Sequence, residues 1–496
     1  MSPIRIRSLG GPAAALLLSL AVVGCSGNGE YASQDEDAKL PITTASEDAR
    51  ELFVKGRELL ENLRPADARV LFEQAVEKDP QFAWGHLMLA NSATTGSEFF
   101  DALGKAVELA VNASEGERHM ILAANDGATS NPEGQLEHLQ KLIELYPDDE
   151  RAHQAMGTVR FGRQEFDEAA RHSLRATEIN PEYSPSYNML GYSYRFAERY
   201  DDAEAAFKQY IERVPSEPNP YDSYAEFLMK RGRFDESIEQ YQRALEVNPT
   251  FIASFVGIAN NQMFLDRTSD ARETMKELEA AARNDGERRQ ALFWTAVSYL
   301  HDKDSKQALA VLERRAAVAE ETGDLTTLAG DYNLMGNVLV ESGDAAGALA
   351  SYELAVKTMD GADAPDAAKQ ATRRNFLFNS ARAALAAGDV DTARSRHEEY
   401  STQVAEHQVP FEMRQTHDLA GMIAMAEGNA QQAIEALEQG NQRNPRIIYL
   451  TAQAYERAGQ AEPAHAYCDK VANFNELNLN LAFVRSSANE MLQARR

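Results

Sequence analysis

From residue 49 onward, small and apolar residues recur in paired amphipathic patterns of helical period. Pro147, Pro181, Pro215 and Pro249 stand 34 residues apart, and Ala169, Ala203, Ser237 and Ala271 keep the same beat. A repeat period between ~20 and ~50 residues marks stacked supersecondary units. Residues 184–217 show the unit clearly: Tyr187, Leu190, Gly191 and Tyr194 fall on a first helix, and Ala203, Phe207 and Tyr210 on a second. Pro215 ends that second helix, because proline lacks an N–H and restricts the residue before it. Gly191 is expected to let the first helix approach Ala203 closely, with Tyr194 and Phe207 filling the space between. Residues 49–82 repeat the pattern with Leu52, Gly56, Leu59, Ala68, Phe72, Ala75 and Pro80. No stretch alternates with the strand period of two for long enough to propose a sheet.

Beyond Arg283 the beat lengthens. The small-residue ladder runs Ala271, Ala308, Ala348, Ala393, Ala433, in steps of 37, 40, 45 and 40. Longer helices are predicted there, as in Tyr332, Gly336, Ala348, Tyr352 and Ala355. A last pair near 446–475 precedes an apolar helix from Leu477 to Leu492, which would cap the open end of the stack. The spacing divides the chain into a regular array over 48–285, extended repeats over 286–475 and a capping helix over 476–496. These units resemble the tetratricopeptide repeat. The resemblance implies an all-α, right-handed superhelical solenoid of about twelve helix pairs with a C-terminal capping helix.

The first residues follow a different logic. Arg5 and Arg7 precede an apolar run from Ala13 to Val23. That run is shorter than the ~20 residues a membrane span needs, so it reads as the apolar part of a signal peptide. Val22-Val23-Gly24-Cys25 resembles the bacterial lipobox. The resemblance implies a leader over 1–24, cleavage before Cys25 and a diacylglyceryl anchor on that cysteine, which holds the protein to a membrane. Ser26 after the cysteine looks like outer-membrane sorting, with the chain facing the periplasm. Residues 25–47, with the acidic cluster Asp35-Glu36-Asp37, read as an acylated start and a flexible tether.

Composition narrows the function. Lys and Arg number 50 against 77 Asp and Glu, a net charge of −27. Such a surface repels phosphate, which argues against nucleic-acid partners and against a basic patch on anionic lipid. Two cysteines build neither a disulfide framework nor a thiolate zinc site. The sequence contains no phosphate-binding loop, nucleophile elbow or zinc-protease motif, so neither a catalytic residue nor a cofactor or metal ligand is assigned. Cys468 is expected in the core.

Function then falls to the surface. In tetratricopeptide arrays the first helices line a concave groove that holds extended peptides or partner helices. Carried over by position, the groove includes Asn188, Tyr192, Arg195 and Phe196, then Asp222 and Glu226, then Asn260 and Phe264, and finally Asn333 and Asn337. Asparagine both donates and accepts, so it can pair with an extended backbone. The family's carboxylate clamp needs Lys and Asn at its fifth and ninth positions; here those are Asn188/Tyr192, Asp222/Glu226 and Val256/Asn260, so the clamp is missing. The resulting expectation is a non-catalytic, lipid-anchored adaptor of the bacterial envelope that holds envelope proteins in its groove. The alternative is a ligand- or glycan-binding carrier or sensor in which Tyr192 stacks on a sugar and Asp222 or Glu226 bonds its hydroxyls.

Overall fold

A computed structural model describes residues 39–494, apart from 62, 63, 94, 95, 130, 408 and 477. The leader, Cys25 and residues 26–38 of the tether lie outside the described residues. Among the described residues there is no strand, and 25 α-helices follow one another in consecutive packed pairs.

The first pairs are α1 (Glu47–Glu61) with α2 (Pro65–Lys78), α3 (Ala83–Asn91) with α4 (Gly96–Leu109), α5 (Glu115–Ala128) with α6 (Pro132–Leu145), and α7 (Glu150–Gly162) with α8 (Phe166–Ile179). The regular pairs continue with α9 (Ser184–Phe196) and α10 (Tyr200–Arg213), α11 (Pro218–Lys230) and α12 (Phe234–Val247), and α13 (Ile252–Phe264) and α14 (Thr268–Ala281). The longer pairs are α15 (Asp285–His301) with α16 (Ser305–Glu321), α17 (Leu325–Glu341) with α18 (Ala345–Gly361), and α19 (Asp366–Ala386) with α20 (Val390–His407). Then come α21 (Pro410–Ala426) with α22 (Ala430–Gln439), α23 (Pro445–Arg457) with α24 (Ala461–Ala472), and the unpaired α25 (Leu479–Gln493). The lengthened ladder beyond Arg283 is thus one extra helical turn: α7 and α9 have 13 residues, α15 to α18 have 17, and α19 has 21.

Two local rules recur from pair to pair. The first is a hole and a plug 16 residues apart. A Cβ at Gly56 would lie 2.7 Å from the Phe72 ring, one at Gly191 2.7 Å from Phe207, and one at Gly421 2.7 Å from Leu437 Cδ2. Gly336 faces the Tyr352 ring in the same way. Gly191 therefore receives Phe207 and not Ala203, the partner expected from the sequence. The second rule concerns the turn inside each pair. Gln164, Glu198, Gly232 and Asp266, each 34 residues from the last, all have φ between 58° and 72°. Each lets the residue after it donate its N–H back to the first helix, as Arg199 N does to Tyr194 O at 2.8 Å, which satisfies carbonyls the helix end leaves open.

The described chain forms two compact units. One holds residues 39–227 with 239–251, the other 228–238 with 252–494. In the N-terminal unit the core opens on Phe53, whose ring centroid lies 4.9 Å from Phe82 and 5.1 Å from Trp84. Residues 39–46, read from sequence as part of the tether, are instead bound to this unit. Leu40 N donates to Asp149 Oδ2 at 2.8 Å and Thr43 N to Glu117 Oε1 at 2.8 Å. Thr44 Oγ1 and Ala45 N donate to Asp79 Oδ2 at 2.5 and 3.0 Å. Leu40 is buried where Gly116 leaves room for it. The strap is held because acids at three successive helix junctions present carboxylates that a short extended backbone can satisfy.

In the C-terminal unit α25 covers the last pair and also reaches α15. Leu481, Val484 and Ala488 join Ile448, Cys468 and Phe264 in one apolar cluster. Arg485 sits 4.4 Å from the Phe264 ring, Lys230 Nζ pairs with Glu476 at 2.6 Å, and Lys303 Nζ with Glu490 at 3.1 Å. Cys468 is fully buried, its sulfur 3.3 Å from Met491 Sδ.

Candidate functional site

The residues expected to line a groove divide between the two units. In the N-terminal unit, Tyr192, Arg195 and Glu226 meet. Tyr192 Oη donates to Glu226 Oε2 at 2.7 Å and Arg195 Nη1 to Glu226 Oε1 at 2.6 Å. Burial alone would push the Glu226 carboxyl up, but Arg195 and the two hydrogen bonds outweigh it and hold it below the usual range. Asn188 is buried with its Oδ1 lacking a hydrogen-bond partner, and Asp222 is half-buried. Phe196 is exposed and stacks on Phe166 at 5.2 Å. The polar groups of the Tyr192–Arg195–Glu226 cluster are thus committed to one another.

In the C-terminal unit, Asn260 is buried and its amide donates to Val256 O at 2.9 Å, while Phe264 lies beneath Arg485. Asn333 and Asn337 belong to a larger array. Asn333 Oδ1 lies 3.5 Å from Asn379 Nδ2, and Asn337 Oδ1 accepts from Arg382 Nη1 at 2.7 Å and from Tyr352 Oη at 3.1 Å. Around them the first helices α17, α19, α21 and α23 and the start of α25 enclose a cavity of about 180 Å³. Six amides line it: Asn337, Asn375, Asn379, Asn441, Asn444 and Asn480. Beside it lies a second cavity of about 280 Å³ walled by Val340, Leu385, Met422, Met425 and Leu450. Arg382, Arg446 and Met422 border both.

The charges at this junction are unusual. Glu341 Oε1 pairs with Arg446 Nη2 and lies 3.5 Å from Arg382 Nη2. One carboxylate therefore serves two guanidiniums. Burial, then the neighbouring Arg382, push Arg446 down to about 10. Asp418, also on the cavity wall, is pushed up to about 6 by burial, against the Asn441 N–H that bonds it at 2.8 Å.

Sequence reasoning named Asn333 and Asn337 but missed Asn379, Arg382 and Arg446. The signal was present in the long step of 45 between Ala348 and Ala393: Asn333 plus 46 is Asn379, and Asn337 plus 45 is Arg382. A 34-residue template cannot place them. It also missed two stacked histidine pairs on that very template, His119–His138 and His153–His172, whose Nδ1 atoms lie 2.8 and 3.2 Å apart.

Among the described residues no group of three or more His, Cys, Asp or Glu is placed to hold a metal, and no helix is long and apolar enough to cross a membrane.

Residues 154–218, 188–250 and 257–320 match the family model of the tetratricopeptide repeat. Over 170 residues the chain is 26% identical to anaphase-promoting complex subunit 3 of Schizosaccharomyces pombe, covering 34% of this chain and 25% of that protein. Over 127 residues it is 28% identical to the mitochondrial import receptor subunit TOM70 of Saccharomyces cerevisiae, covering 24% and 21%. The chain therefore spans a quarter or less of the length of these curated relatives. Among solved structures, yeast Tom70 is 22% identical over 61% of this chain and 67% of its own, with a TM-score of 0.40. YrrB, described as a tetratricopeptide protein with an unusual peptide-binding site, is 17% identical over 36% of this chain and 91% of its own, with a TM-score of 0.28. Repeated helix pairs, the glycine-and-ring spacing and the matched residues within 154–320 agree that this chain carries tetratricopeptide repeats, the fold of protein-interaction scaffolds.

Proposed function

We propose that this protein is a non-catalytic, lipid-anchored adaptor of the bacterial envelope that holds an extended segment of a partner protein against its first helices. The observation that carries the binding half is the cavity of the C-terminal unit, where six asparagine amides meet on four consecutive first helices and α25. Side-chain amides donate and accept in alternation, as a peptide backbone does, so such a wall reads main chain with little demand on sequence. The anchoring half rests on Val22-Val23-Gly24-Cys25 and the charged, apolar leader before it. Its proposed seat is the outer membrane, facing the periplasm.

The test is photo-crosslinking in cells from a reactive amino acid placed at Asn375, on the cavity wall, and at Leu349, an exposed position on the second helix α18. The reading expects one dominant protein adduct from Asn375 and none from Leu349. Adducts of the same partner from Leu349 alone would move the binding surface to the second helices.

A further inference from the structure

Resting on that reading, we propose that Arg382 and Arg446 form a receptor for the C-terminal carboxylate of the bound peptide, whose last side chain is apolar. Three observations carry it.

The first is the charge count. Two guanidiniums share Glu341, so the junction holds one positive charge in excess inside a chain of net charge −27. Their mutual repulsion is visible in Arg446, held at about 10. A bound monoanion would balance it, and a carboxylate matches the planar fork of a guanidinium. Glu341 and Asp418 at the same place disfavour a doubly charged phosphate.

The second is an unspent donor edge. Arg382 is only 7% exposed, and its Nη1 is held by Asn337 Oδ1 at 2.7 Å and Asn379 Oδ1 at 3.1 Å. Its Nε and Nη2 have no hydrogen-bond partner. Leaving buried donors of a charged group unmet is costly, so such an edge marks where a ligand acceptor fits. The two amides meanwhile fix the guanidinium against rotation.

The third is the pairing of cavities. The amide-lined space lies on one side of the two arginines and the Leu/Met-lined space on the other. A chain terminus satisfies all three at once: main chain along the asparagines, carboxylate on the arginines, last side chain among Val340, Leu385, Met425 and Leu450. A side-chain carboxylate in mid-chain would have to carry the peptide on past the arginines into an apolar dead end. These positions differ from those of the carboxylate clamp whose Lys and Asn are missing here.

The experiment is affinity selection by the full-length chain in detergent from random octapeptides, synthesised once with free C-termini and once amidated. Free-acid peptides ending in Leu, Ile, Met or Phe should be retained at least tenfold over their amidated twins. Arg382→Gln and Arg446→Gln should each abolish that preference. Glu341→Gln, which removes the competing carboxylate, should tighten binding instead, a sign that structural damage does not produce. Circular dichroism of each variant, with Met422→Trp as a cavity-filling variant that keeps both arginines, guards against loss of fold; Met422→Trp should also lose the preference for apolar termini. Equal retention of acids and amides, or a preference untouched by either arginine variant, overturns the proposal. Selection of amidated peptides with an internal Asp or Glu assigns the carboxylate to a side chain and overturns it too. Retained peptides that still crosslink to Asn375 without either preference leave the adaptor reading standing and remove only the terminus receptor. Peptides retained by neither set remove both.

Discussion

Asp149 joins local and tertiary structure, so its loss can be reckoned from the contacts it makes. It is fully buried and caps α7, with Oδ1 accepting from Arg151 N at 2.8 Å and Ala152 N at 3.3 Å. Its Oδ2 accepts from Leu40 N of the strap at 2.8 Å. Asp149→Ala removes a helix N-cap, worth about 1 kcal/mol. It also leaves the buried Leu40 N–H without an acceptor, at about 1–3 kcal/mol. The expected loss is therefore about 2–4 kcal/mol, confined to the N-terminal unit. Asp149→Asn separates the two effects: the amide oxygen keeps the cap, while its NH₂ faces Leu40 N–H and cannot accept. Urea unfolding followed by Trp84 fluorescence in a Trp294→Phe background reads this unit, because the chain has only these two tryptophans. Hydrogen exchange at Leu40, Thr43 and Ala45 reads the strap. Asp149→Asn should release those amides with most of the cap energy retained. The reasoning fails if Asp149→Ala costs less than about 0.5 kcal/mol, the scale of a neutral surface change, or if the strap amides stay protected in both variants.

Gly191→Leu should over-pack the ring of Phe207 at about 1–3 kcal/mol and turn a single melt into separable transitions, since repeat stability is a sum of unit and neighbour terms; an unchanged melt would sink the hole-and-plug rule. The stacked histidines set a pH dependence. Burial, then His153, depress His172 from 6.5 to about 4, so the unfolded chain binds more protons in that window and stability falls as pH drops from 6.5 toward 4. With the ring only half-buried the effect is on the order of 1 kcal/mol; His153→Gln with His172→Gln should flatten it, and a wild type equally stable at pH 7 and 4.5 would contradict it. Cys25→Ala should abolish the lipid mass on the mature chain, whereas a wild-type intact mass without diacylglycerol would remove the anchor.

How much of this was legible in the sequence depends on the range of the interaction. The 34-residue ladders, the glycine–ring spacing and the terminating prolines are local, since each pair folds on neighbours at fixed offsets; the helix pairs, their number and their lengthening after Arg283 could all be read without a structure. Their partners within a pair could be misread by a few positions, as Gly191 was. The strap over 39–46 could not be read at all. A polar, apolar-poor segment looks like tether until three buried carboxylates, Asp79, Glu117 and Asp149, are seen facing its backbone. The same holds for the two-arginine junction. Glu341, Arg382 and Arg446 lie on α17, α19 and α23, brought together only by the stacking of three separate helix pairs. Periodicity decides which face of a helix is apolar. What a buried charge meets across that face is decided by how successive pairs stack, and that geometry is written in no single repeat.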